Sequence, residues 1–373
     1  MPNLDCLEEG FFSKSTLKPL KYVYNYETEK KLIKSMMETG EWFSLCGLRR
    51  TGKTTLVRSI ANSLRNVAVL YVDMWGAEQN LEYEFFFERL KEELERELKR
   101  SKLDKILGSI KKVSFFGVSL EFRIKSEVSI YGAIEELSNK KKIILIIDEA
   151  QKILRAQRVI EALASLHDRL GTKLSVAFTG SVISIRKNLS GEVRKPLYGR
   201  IADEITLSPW DQEKAKDFLL KGFSQCGVKV KDEIIDIGLK IAGGFVGWLA
   251  LYGRVVVREL RTIGDVRIMK IANKIEEEAS EQIYDEIARF LQGRKNINGY
   301  ISIIKRVAED GFITVSEVAK LLKKDPSTAV FYINELLYNG ILKKVKDYYV
   351  LADPLVEKVA RKPEFGKEVK TRI

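Results

Sequence analysis

Residues 47 to 54 read Gly-Leu-Arg-Arg-Thr-Gly-Lys-Thr, and a second threonine, Thr55, follows. Every fixed position of G-x-x-x-x-G-K-[ST] is filled. An apolar run, Trp42 to Cys46, enters the loop, and a helical pattern, Thr54 to Leu64, leaves it. A buried strand that must turn through such a loop into a helix restricts the chain to an α/β sheet with helices on its faces. The residue types also have a chemical reason. Gly47 and Gly52 permit positive φ and close approach of the backbone to phosphate. The N–H groups of Leu48, Arg49, Arg50, Thr51, Gly52, Lys53, Thr54 and Thr55 can then converge on one anion at a helix N-terminus. Lys53 adds a point charge for the β- and γ-phosphates, and the Thr54 hydroxyl is a magnesium ligand.

A companion feature lies further on. Residues 143 to 151 read Ile-Ile-Leu-Ile-Ile-Asp-Glu-Ala-Gln. Asp148 ends a wholly apolar strand, where α/β sheets place their ligands, and a carboxylate there suits the magnesium shell. Glu149 follows it and is placed to polarise an attacking water as general base. No Asn-Lys-x-Asp guanine reader is present; residues 139 to 142 read Asn-Lys-Lys-Lys and 272 to 275 Ala-Asn-Lys-Ile. The expected ligand is therefore ATP with Mg2+ rather than GTP.

The chain alternates helix and strand up to about residue 210. Glu27 to Thr39 reads as a helix with Leu32, Ile33, Met36 and Met37 on one face, and Val67 to Val72 as a buried strand. Residues 81 to 106 form a charged helical stretch, and 112 to 125 alternate like an inserted β-hairpin. Helices at 128 to 138 and 152 to 170 flank the Ile143 to Ile147 strand, and a strand at 174 to 179 follows. Beyond Trp210 only helical periodicity remains, broken by Gly243, Gly244 and Gly247. The expected domains are a core at 1–210, a helical lid at 211–297 and a third module at 298–373.

Charge and cysteine usage bound the rest. The net charge of +12 fits polyanionic partners, nucleic acid or an anionic membrane surface, and equally a basic surface that only keeps the chain soluble. Cys6, Cys46 and Cys226 are far apart and odd in number, which argues against a disulfide framework and for a reducing, cytoplasmic setting. The single histidine, His167, rules against nucleophile systems built on histidine. No run of about 18 apolar residues exists, so no membrane span is expected.

The strand at 174 to 179 ends Phe-Thr-Gly-Ser, so Thr179 or Ser181 presents a hydroxyl near Asp148, for the attacking water or as a strand-to-loop cap. Arg200, in Tyr-Gly-Arg before a last strand at Glu204 to Leu207, is a candidate for transition-state charge in its own chain or a neighbour's, or a surface ion pair. Taken in order, G-L-R-R-T-G-K-T, I-I-D-E-A-Q, F-T-G-S, Y-G-R and G-G-F-V-G-W-L resemble the archaeal ATPase family, in the AAA+ superfamily near STAND and archaeal initiator ATPases. The resemblance implies a P-loop AAA+ type α/β parallel sheet, a helical lid, a C-terminal winged-helix domain and ATP as ligand. Such relatives carry Gly-x-Pro in the lid, where this chain has Gly244-Phe245-Val246. The lid arginine of initiator-type relatives is also missing from residues 243 to 249; the next is Arg254. Slow, switch-like turnover follows from that departure.

The last module predicts three short helices, Ile301 to Ala308, Thr314 to Leu322 and Pro326 to Tyr338, then a wing over Ile341 to Val350. Thr314 with Glu317 forms a capping-box pattern, and Asp325 precedes Pro326 as N-cap. Ser327, Thr328 and Tyr332 are expected to face outward on the third helix. Lys343, Lys344 and Lys346 sit in the wing. Residues 300–373 hold 14 Lys and Arg against 10 Asp and Glu, an excess too small to choose duplex DNA over a protein partner or self-association.

Overall fold

Five strands join in one parallel sheet: β1 (Trp42–Gly47), β2 (Val67–Asp73), β3 (Lys142–Asp148), β4 (Leu174–Gly180) and β5 (Ile201–Leu207). Their spatial order is β2-β3-β4-β1-β5. The computed structural model describes residues 5–78, 80–103, 130–180, 185, 189, 195–263 and 268–373. The hairpin expected at 112–125 lies outside them, as does Ser181. Every residue of β1 and β4 is buried, which is why these strands read as unbroken apolar runs rather than as alternation.

Helices cover the sheet. Among them are α1 (Glu27–Thr39), α2 (Lys53–Ser63), α3 (Glu82–Arg100) and α4 (Gln157–Leu170), and the helix expected at 128–138 is helical over its described residues 130–138. α1 buries Ile33, Met36 and Met37, whereas Leu32, expected beside them, is 38% exposed. α2 buries Leu56, Val57, Ile60 and Ala61, and α4 buries Val159, Ile160, Leu163, Leu166 and Leu170. Residues 152–155, expected in the same helix as α4, belong to a separate 3-10 turn, Ala150–Arg155. In register, Asp73 pairs with Asp148, Leu45 with Thr179 and Gly47 with Leu207. The C-terminal strand ends thus line up along one edge.

The sheet and its helices, Tyr26–Gly47 and Lys53–Leu207, form one compact unit; the N-terminal residues through Asn25, Leu48–Gly52 and Ser208–Ile373 form another. The second unit holds α5 (Gln212–Gln225), α6 (Asp232–Ala242), α7 (Val246–Ile263) and α8 (Ile268–Leu291). It continues with α9 (Ile297–Asp310), α10 (Val315–Leu322), α11 (Pro326–Tyr338), an antiparallel hairpin of β6 (Leu342–Val345) and β7 (Tyr348–Leu351), then α12 (Pro354–Ala360) and α13 (Phe365–Thr371). Thr314 and Glu317 close the capping box of α10, and Asp325 accepts from the Thr328 N–H to cap α11.

Two expectations fail in this unit. Tyr332 points inward: it is 7% exposed, accepts from the Asn296 amide at 2.7 Å and lies 4.5 Å from the Tyr300 ring. The outward side of α11 carries Val330, Phe331 and Tyr338 instead. Cys6 and Cys226, in a chain whose widely separated cysteines, odd in number, argue against a disulfide framework, form a disulfide. The N-terminal segment brings them together, because the Phe12 ring fills the space beside Gly222 and Gly253, where a β-carbon would lie 2.3 Å from it.

Candidate nucleotide site

The loop from β1 to α2 has positive φ at Gly47 (144°), Arg50 (63°) and Gly52 (92°). A β-carbon at Gly47 would sit 2.2 Å from the Leu207 carbonyl oxygen, so only glycine lets β1 and β5 run together to the loop. The Thr51 hydroxyl donates to the Leu48 carbonyl at 2.8 Å. Lys53 is buried, and its Nζ donates to the Gly47 carbonyl at 2.9 Å, which holds the ammonium over the loop's own entrance. Thr54 and Thr55 occupy the first turn of α2.

Asp148, at the end of β3, gathers the donors of this sheet edge. It is 7% exposed and accepts from four donors. The Thr54 hydroxyl reaches Oδ2 at 2.7 Å, and so does the Tyr71 hydroxyl. The Thr179 hydroxyl and the Glu149 N–H reach Oδ1. Thr54, Asp148 and Thr179, more than a hundred residues apart at their extremes, are therefore brought together. Glu149 takes a left-handed backbone (φ 52°) and its carboxylate accepts from the Gln151 amide.

Tyr71 was not singled out from the sequence. The signal was a lone hydroxyl in the otherwise apolar run Val67 to Val72. Burial and the Asp148 carboxylate push its phenol well above the usual range, so it remains a donor. Asp73, opposite Asp148 in register, is raised to about 6 by loss of hydration, with repulsion from Asp148 and Glu149 adding to the effect.

Arg200 is not with this group. It sits directly before β5, at the edge where strands begin, while Gly47, Asp148 and Thr179 lie where strands end. Seven residues of β5 at about 3.3 Å each separate the two edges. Its guanidinium donates to both Asp168 oxygens at 2.9 and 3.0 Å and holds that carboxyl below its usual range. Arg254, the next arginine beyond the glycine cluster, is buried and donates to the Phe12 carbonyl at 2.9 Å.

The arginines of the loop point to carboxylates. Arg50 bonds Glu286 at 2.7 Å and Asp353 at 3.2 Å, and Arg49 approaches Glu286 at 3.3 Å. Burial raises the Asp353 carboxyl, and Arg50 and Trp248 oppose that shift.

A magnesium ion fits the donor set. The Thr54 hydroxyl and Asp148 carboxylate are hard oxygens already within 2.7 Å of each other. Magnesium takes one or two protein oxygens and completes its shell with water and phosphate. Among the described residues no cluster of three or more His, Cys, Asp or Glu forms a metal cage. No helix among them is long and apolar enough to cross a membrane.

Comparison with known proteins identifies the family and the fold. A family profile described as an ATPase domain predominantly from Archaea matches residues 24–251. The Walker-type ATPase PabY2304 of Pyrococcus abyssi superposes with a TM-score of 0.73 at 23% identity, over 94% of this chain and 100% of that one. The Aeropyrum pernix ORC2 protein, in ADPNP–ADP complexes, gives 0.58 at 12% identity over 97% and 98%. The Aeropyrum pernix ORC1 protein in complex with DNA gives 0.56 at 15% identity over 98% and 97%. At these identities the structures speak for the fold. No curated protein matches the chain in sequence.

Proposed function

Because the chain belongs to the ATPase domain family found predominantly in Archaea, and is thus a P-loop ATPase of AAA+ type, we propose that it binds Mg·ATP on residues 47 to 55, hydrolyses it slowly, and transmits nucleotide state to its C-terminal module. The observation that carries this reading is the contact of the Thr54 hydroxyl with Asp148 at 2.7 Å, beside the Lys53 ammonium. Thr54 and Asp148 would hold magnesium, which when bound neutralises charge on the phosphates. Lys53 is released from the Gly47 carbonyl to meet phosphate oxygens. Glu149 accepts a proton from the attacking water, with Gln151 orienting its carboxylate. Thr179 and Tyr71 hold Asp148 in place. Arg200, at the far edge of the sheet, is assigned to the nucleotide of a neighbouring copy.

The domains on this reading are a core to residue 210, a lid at 211–297 and a winged helix at 298–373. A calorimetric titration with Mg·ATP tests the site. Lys53→Ala should abolish binding, and Glu149→Gln should bind but not turn over. Wild-type protein without affinity for Mg·ATP would refute the reading.

The winged helix has two candidate partners. The exposed, cation-free side of α11, with Phe331 at 53% exposure, favours protein. The exposed Lys343, Lys344 and Lys346 of the wing favour duplex DNA. A salt-dependent shift of duplex DNA, lost when all three lysines become glutamate, decides for DNA. Its absence at low salt decides for protein, with ATP then switching a docking module. A second class of function, a DNA-binding regulator that holds ATP with negligible turnover, predicts the shift without hydrolysis.

A further inference from the structure

Within the loop, positive φ falls on Gly47, Gly52 and Arg50. The two glycines adopt it freely. Arg50 carries a β-carbon, and a left-handed backbone is disfavoured for such a residue. Something must hold it there, and the second compact unit, which includes Leu48–Gly52, supplies it. The Arg50 carbonyl accepts from the Gly247 N–H at 3.0 Å. The guanidinium lies 4.0 Å from the centroid of the buried Trp248 ring. It bonds Glu286 and Asp353, each under a tenth exposed. Trp248 Nε1 donates to both Asp353 oxygens at 2.9 and 2.8 Å, and Asp353 also accepts from the Leu355 N–H at 2.9 Å at the start of α12. Asp353 is thus fixed from another side, and Glu286 is met by Arg49 at 3.3 Å.

We propose that Arg50 is a positioning residue: its contacts with Trp248, Glu286 and Asp353 hold its backbone left-handed and so keep the phosphate loop in the shape that receives the β-phosphate. The proposal rests on the nucleotide-site reading above. It makes the side chain of Arg50 a brace for the main chain, in contrast to Lys53, whose charge meets the ligand. It also makes residues about 240 and 300 positions away determinants of nucleotide affinity.

The brace and a direct phosphate contact make opposite predictions for glycine at position 50. Arg50→Ala keeps the unfavourable backbone and loses the brace; it should weaken Mg·ADP and Mg·ATP binding roughly tenfold, the scale of a left-handed penalty. Arg50→Gly removes both the penalty and the need for a brace, and should recover most of that loss. Asp353→Asn, which keeps the α12 cap acceptor, should raise KM severalfold in the wild-type background while kcat holds. In the Arg50→Gly background it should add nothing. Circular dichroism melts of each variant identify those that fold. Recovery by glycine, with Asp353→Asn silent in that background, supports the proposal. Arg50→Gly binding as poorly as Arg50→Ala, or Arg50→Ala binding like wild type, overturns it. Failure of the wild-type protein to bind nucleotide would instead sink the site reading.

Discussion

Replacing Thr179 by valine is the sharpest test of how the Asp148 carboxylate is held. Thr179 is fully buried, and valine keeps its shape while removing only the hydroxyl. Asp148 then loses one of its two donors on Oδ1 and keeps the Glu149 N–H there. A hydrogen bond to a charged acceptor contributes about 1.5–3 kcal/mol, and burial keeps water from replacing it. The expected loss is roughly 2 kcal/mol, or a melting temperature lower by about 4–8 °C for a unit of this size. Tyr71→Phe should cost less, about 1 kcal/mol, because Tyr71 is only half-buried and water can take the place of its hydroxyl. A double-mutant cycle of Thr179→Val with Asp148→Asn should show coupling of about 1 kcal/mol or more. Thermal and urea unfolding without nucleotide measure all three quantities. If Thr179→Val melts within 1 °C of wild type and the cycle shows no coupling, the convergence of donors on Asp148 has no energetic content and the reasoning fails.

Lys18 is held down to about 8 by burial and then by repulsion from Arg254. A lysine lowered in the folded state costs stability while both states are charged, below pH 8, and that cost fades as pH rises towards 10.5. Lys18→Met should therefore be more stable than wild type at pH 7, by up to about 3 kcal/mol, with the difference gone near pH 10.5; urea unfolding across that range checks the sign. The Cys6–Cys226 disulfide closes a separation of 220 residues and should stabilise by up to about 5 kcal/mol, so reductant should lower the melting temperature of wild type and leave Cys226→Ala unchanged. Arg200→Ala breaks an exposed pair and should cost under about 1 kcal/mol; turnover should fall only at concentrations where chains associate, which ATPase assays over a dilution series would show.

The local chemistry was readable without coordinates. The loop from Gly47 to Thr55, the carboxylate at the end of an apolar strand, the alternation that makes a parallel sheet and the caps of α10 and α11 all depend on residues within a few positions of one another. Arg200 shows where that reading drifts. Its strand was expected from Glu204 but begins at Ile201, so the arginine stands at the strand's entry, and in a parallel sheet that is the edge opposite Asp148. Tyr332 shows another limit: the periodicity of α11 predicts a helix, but which side of it packs is decided by Tyr300 and Asn296 on other elements. Tertiary structure alone pairs Cys6 with Cys226, adds Tyr71 to the donors on Asp148, and sets Arg50 against Glu286 and Asp353. These are contacts between residues about 80 to 300 positions apart. No spacing rule links such residues, because only the burial of one surface against another brings them within bonding distance.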